Sequence, residues 1–94
     1  MNNVEAKTIL AEEIARYRQR SYQELLALLD QSESCERTAA SGTVYQIQMQ
    51  VFYDEEPKRT LRVVGMIDDG GLRTFISPLS DDFIIAPDGS FVGE

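Results

Sequence analysis

The chain has 94 residues, 43% of them hydrophobic and 27% charged, and nine Lys and Arg stand against sixteen Asp and Glu for a net charge of −7. That length supports one modest core and excludes a second domain, and that composition excludes an intrinsically disordered chain. Histidine is absent, which removes the usual catalytic triad and the commonest metal ligand, and the single Cys35 excludes an internal disulfide and a thiolate metal cluster.

The charge is uneven: residues 1–30 carry four positive and five negative groups, whereas residues 31–94 carry five and eleven. An acidic surface without a basic stripe repels phosphate backbones and anionic membrane surfaces, so neither nucleic acid nor membrane is an expected partner. The segment MNNVEAKTILAEE lacks the cationic and apolar regions of a signal peptide, and no run of about 18 apolar residues occurs, so a cytoplasmic location is expected.

The first predicted element is a helix from about residue 3 to about residue 19. Leu10, Ile14 and Tyr17 recur at helical spacing after Val4, and Asn2 or Asn3 can cap the start. Glu5, Glu12 and Glu13 come early and Arg16, Arg18 and Arg20 late, an order that complements the helix dipole. Ser21-Tyr22-Gln23-Glu24 then has the form of a capping box, which favours a second helix over Tyr22, Leu25, Leu26, Leu28 and Leu29 to about Asp30; one continuous helix over 3–30 is the alternative.

Residues 31–42 are polar and end in the turn signal Ser41-Gly42, with a short edge strand expected from Cys35 to Ala39. Thereafter the period changes from 3.6 to 2. From Thr43 to Tyr53, Tyr45, Ile47, Met49, Val51 and Tyr53 share one strand face and Gln46, Gln48 and Gln50 the other. A charged loop with Pro57 leads to a strand over Thr60–Ile67, where Val64 and Met66 make the second face apolar as well. IDDGG (Ile67 to Gly71) reads as a tight hairpin into a strand over Leu72–Ser77, because Asp-Gly and Gly-Gly supply the φ > 0 positions such turns require. After Pro78 another strand is expected over Asp81–Ala86, then a turn at Pro87-Asp88-Gly89-Ser90, then Phe91 and Val92 as a short strand or packed tail. The expected architecture is α+β, with one or two N-terminal helices packed on one face of a four- to five-stranded antiparallel meander.

Two groups of residues are candidates for function. Gln46, Gln48 and Gln50, with Phe52 next along the strand, form an uncharged stripe that can hydrogen-bond across a protein surface, and dimerisation or partner binding is expected there. Asp68, Asp69, Asp81 and Asp82, with Asp88, offer oxygens for Ca²⁺ or Mg²⁺ if their loops converge, although their spacing is not that of an EF-hand and turns recruit Asp on their own account. Cys35 has Arg37 as its only near cation and no base, a poor setting for a nucleophile. No glycine-rich phosphate loop is present.

YQIQMQVFYD, LRVVGMIDDGGLRTF and DDFIIAPDGSFVGE together resemble a group of small uncharacterised bacterial proteins with an N-terminal helical stretch and a C-terminal IDDGG…PDGSFVGE pattern. The resemblance spans residues from about 16 to 94, implies a stand-alone domain, and carries no activity, cofactor or catalytic residue. The expected function is a small non-catalytic interaction protein that self-associates, a homodimer being the simplest case. The alternative is a domain, enzymatic in one version, that binds a small ligand or divalent cation through its Asp-rich loops.

Overall fold

A computed structural model describes residues 2–70 and 79–94 of the chain. Its elements are α1 (Asn3–Arg18), α2 (Tyr22–Leu26), β1 (Ser32–Thr38), β2 (Val44–Glu55), β3 (Thr60–Asp68) and β4 (Leu79–Ile85). The four strands form one antiparallel sheet in the order β1-β2-β3-β4, so the fold is an α+β meander as the change of period predicts.

Asn2 caps α1 by accepting from the Glu5 N–H at 3.1 Å. The helix buries Ala6, Ile9, Leu10, Ile14 and Tyr17, an apolar stripe at i, i+3, i+4 spacing, and lies over β3 and β4. The helices are two: Ser21 accepts from the Glu24 N–H at 3.1 Å while Glu24 accepts from the Ser21 N–H at 3.0 Å, so both members of the capping box are formed. α2 ends at Leu26, earlier than the expected Asp30. Leu29 there leaves the helix to bridge Val51 in parallel, and the Asp30 N–H donates to the Val51 carbonyl at 2.9 Å, with Asp30 at φ 60. A long-range hydrogen bond outcompetes the last helical turn, yet Leu26, Leu28 and Leu29 still pack against the core.

Inward-facing β residues complete that core: Tyr45, Ile47, Met49 and Val51 from β2, Leu61, Val63 and Ile67 from β3, Phe83 and Ile85 from β4. Gly65 lies among them at the closest approach of helix and sheet. A Cβ built there would stand 2.8 Å from Met49 Sδ, 3.0 Å from Leu10 Cδ1 and 3.2 Å from Ile14 Cδ1. A side chain there would require these three neighbours to shift.

The β1–β2 hairpin closes as its Ser-Gly signal predicts. The Ala39 N–H donates to the Thr43 carbonyl and the Gly42 N–H to the Ala39 carbonyl, both at 2.8 Å, with Gly42 at φ 90. β1 itself is longer than expected, beginning at Ser32. The Pro87 turn repeats this geometry from Ala86 to Ser90, and Phe91 then bridges Ile85 while the Val92 N–H donates to the Ile84 carbonyl at 2.9 Å. The tail therefore folds back along the outer edge of β4.

Ile67 pairs with Leu79, and β2 and β4 lie on the two sides of β3. The expected strand over Leu72–Ser77 lies outside the described residues. Asp68 accepts from the Gly70 N–H at 2.9 Å, with Gly70 at φ 78, so a turn does begin where Asp68 predicts one.

Candidate interaction surface

Strand alternation places the polar set of β2 on the sheet face opposite α1, and the register fixes its neighbours. Gln46 stands beside Asp68, Gln48 beside Met66, Gln50 beside Val64 and Phe52 beside Arg62. On β4, Ser80, Asp82 and Ile84 oppose Met66, Val64 and Arg62. None of Phe52, Val64, Met66 and Ile84 joins the hydrophobic core, and Phe52 is 38% exposed. The face is thus a lattice of amides and isolated apolar side chains. Gln46 donates to Glu36 Oε2 across to β1 at 2.9 Å, and Gln50 and Phe52 flank a hollow of about 290 Å³ at the far end of β2.

The outer edges of the sheet differ. At β4 the tail is clamped by the Arg18 guanidinium, 4.6 Å from the Phe91 ring centre and 5.3 Å from that of Phe83, while Arg18 also pairs with Glu94 and the two rings meet edge to face at 5.7 Å. At β1 no described strand or helix pairs with the outer side, and every residue of the strand except Arg37 is exposed. The Ala39–Thr43 bond gives the polarity of that edge: odd-numbered residues of β1 turn their backbone groups to β2, and Ser32, Ser34, Glu36 and Thr38 turn theirs outward.

Ionic contacts tie β1 to α1 on the inner side. Arg37 donates to Glu12 Oε1 at 2.7 Å and to Glu13 Oε1 at 2.8 Å, and Arg16 reaches Glu13 at 3.2 Å. Tyr17 donates to Glu33, which Arg20 also approaches at 3.4 Å. Burial and that hydrogen bond to a carboxylate push the Tyr17 hydroxyl well above its ordinary range. Glu13, Arg16, Tyr17, Arg20 and Glu33, with Cys35, border a groove of about 260 Å³. Partial burial and the Glu13 carboxylate push the Cys35 thiol up against the opposing pull of Arg37, so it remains a thiol near neutral pH. Arg16 and Arg18 at the end of α1 and Arg20 just beyond it are each committed to a carboxylate, Arg16 to Glu13, Arg18 to Glu94 and Arg20 to Glu33.

The candidate cation ligands divide between the sheet faces. Asp82 pairs with Arg62, which also binds Asp54 at 2.8 Å. Asp81 lies opposite Gly65, on the other face, and accepts from the Asp82 N–H at 2.8 Å. Asp68 serves the Gly70 turn, Asp69 sits beside it, and Asp88 accepts from the Ser90 N–H and hydroxyl, which hold its carboxyl below the usual carboxylate range. No group of three or more His, Cys, Asp or Glu able to hold a metal ion occurs among the described residues.

Sequence reasoning singled out the glutamine stripe but missed Glu13 as a buried contact. The signal was present: Glu13 lies four residues from Ile9 and three from Leu10, inside the apolar stripe of α1. Fold and surface together define a small α+β meander whose sheet is covered on one face and met by the C-terminal tail at the end of β4. No family model, curated protein or solved structure matches the chain. No helix among the described residues is long and apolar enough to cross a membrane.

Proposed function

We propose that the protein is a small cytoplasmic interaction protein without a catalytic role, and that it acts by self-association through its sheet. The observation that supports this reading is the asymmetry of the sheet: α1 packs on one face and the tail meets the end of β4 at Ile84 and Ile85, while no described element covers the face carrying Gln46, Gln48, Gln50 and Phe52 or the edge of β1. Open strand edges and amide-rich faces are surfaces on which protein chains pair, because backbone and amide groups regain in a partner the hydrogen bonds they otherwise make to water. A core of this size also leaves a 94-residue chain modestly stable alone, and association adds to that stability.

Light scattering on the full chain, from micromolar to high micromolar concentration, tests the reading. The expected result is a mass rising toward twice 10.6 kDa. A mass that stays at that of one chain throughout overturns it.

A further inference from the structure

The geometry points to a second copy of this chain as the occupant of the β1 edge, paired antiparallel about a two-fold axis at Cys35 so that two four-stranded sheets become one of eight strands. This deepens the self-association reading and rests on it. The argument begins with backbone direction. Since the outward groups of β1 belong to Ser32, Ser34, Glu36 and Thr38, an added antiparallel strand must form its hydrogen-bonded pairs among even-numbered residues, which restricts a symmetric pairing to centres on single residues.

Charge then selects among those centres. With the axis at Cys35, all seven residues from Ser32 to Thr38 are paired: Ser32 with Thr38, Ser34 with Glu36 and Glu33 with Arg37, each twice by symmetry, and Cys35 with its own copy. Each opposite-charge pair extends a network already present, since Glu33 is bound to Tyr17 and Arg20, and Arg37 to Glu12 and Glu13. Moving the axis one residue forward sets Glu36 against its own copy, and moving it one residue back removes the Glu33–Arg37 pairs and leaves Thr38 outside the strand pairing. The charges that deter other strands from this edge are therefore self-complementary in one register. The tail occupies the end of β4 at Ile84 and Ile85, whereas no described residue pairs with the outer side of β1.

In that register Cys35 faces its own copy across a non-hydrogen-bonded pair, where Cα atoms stand about 4.5 Å apart, inside the ~4.4–6.8 Å range that a disulfide spans. Because Cys35 is the only cysteine, it reports on this register alone. Diamide, which takes up the two electrons and two protons released by the paired thiols, is expected to link the full-length chain into a covalent dimer. The rate should be roughly tenfold above that of a variant in which the thiol is moved one place, Cys35→Ser with Glu36→Cys, because pairing raises the effective concentration of facing thiols. Ser34→Pro removes an outward N–H and spares the hydrogen bonds to β2, so it should yield a folded monomer by circular dichroism and light scattering that cross-links no faster than the moved-thiol variant.

If the unmodified chain is dimeric but links no faster than the moved-thiol variant, and Ser34→Pro leaves the dimer intact, the edge pairing is overturned while self-association stands. A chain that is monomeric at every concentration overturns both. Measurement of the unmodified chain by diamide alone decides the point should Ser34→Pro fail to fold.

Discussion

Glu13 in the middle of α1 and Arg37 near the end of β1 form an ion pair of 2.8 Å, with the carboxylate side chain only 6% exposed and the guanidinium a third exposed. α1 otherwise lies over β3 and β4, at the other side of the sheet, so this pair, the Arg37–Glu12 pair and the Tyr17–Glu33 contact bind the edge strand to the helix. Removing Arg37 leaves the buried carboxylate with Arg16 alone. Arg37→Ala is expected to lower unfolding stability by about 1–2 kcal/mol, with Arg37→Lys intermediate, as measured by urea titration. An unchanged midpoint for Arg37→Ala would show the pair to be a solvated surface contact.

Gly65 sets the distance between helix and sheet. Gly65→Ala forces Leu10, Ile14 and Met49 to shift, since the new methyl would stand 2.8–3.2 Å from them, and overpacking of this kind costs about 1–3 kcal/mol. Thermal unfolding should show the loss, and if the crowding is local Gly65→Ala should cost less in a Leu10→Ala background than in the parent chain. A Gly65→Ala variant as stable as the parent would mean that the flexible Met49 absorbs the contact.

The clamp on the C-terminal tail is predicted to protect β4. Phe91→Ala removes the edge-to-face contact with Phe83 and the ring beneath Arg18, and should cost about 1–2 kcal/mol. Amide exchange at Ala86 and Val92, whose N–H groups bond to Ser90 and Ile84, should accelerate. Exchange at β1–β2 amides should change only as far as global stability does. Uniform acceleration across the sheet beyond that would refute a local clamp.

Stability should fall at both ends of the pH range for different groups. Tyr17 has its hydroxyl raised by burial and by Glu33, so the folded state favours the protonated phenol. That contribution is complete below about pH 10, the unfolded value, and is lost as pH climbs from there toward the higher folded value. Glu24 is lowered by the backbone and hydroxyl of Ser21, so its contribution is present above about pH 4.3 and is lost as acid protonates it. Melting curves of Tyr17→Phe against the parent, between about pH 8 and 11, check the alkaline limb: the Phe variant should lack it.

Much of the fold is legible in local spacing. The capping box at Ser21, the Ser-Gly and Pro-Asp-Gly-Ser turns and the alternation from Tyr45 to Tyr53 are each contained in a few consecutive residues, because caps, turns and strand faces are governed by groups within one turn or one pleat of each other. The glutamine stripe is legible for the same reason: a period of two places Gln46, Gln48 and Gln50 on one face whatever lies elsewhere.

Other features depend on which distant segments meet. The sequence places Leu28 and Leu29 in a helix, and the hydrogen bond from Asp30 to Val51, twenty-one residues away, ends it earlier. Ile67 pairs with Leu79 because β4 fills the side of β3 left free by β2. The burial of Glu13 beside an arginine of another element and the docking of the tail at the end of β4 are likewise decided by distant neighbours. A composition and a period determine that a sheet with one wet face exists; tertiary pairing decides which edge is exposed and which charges line it, since both are properties of neighbours brought together only by folding.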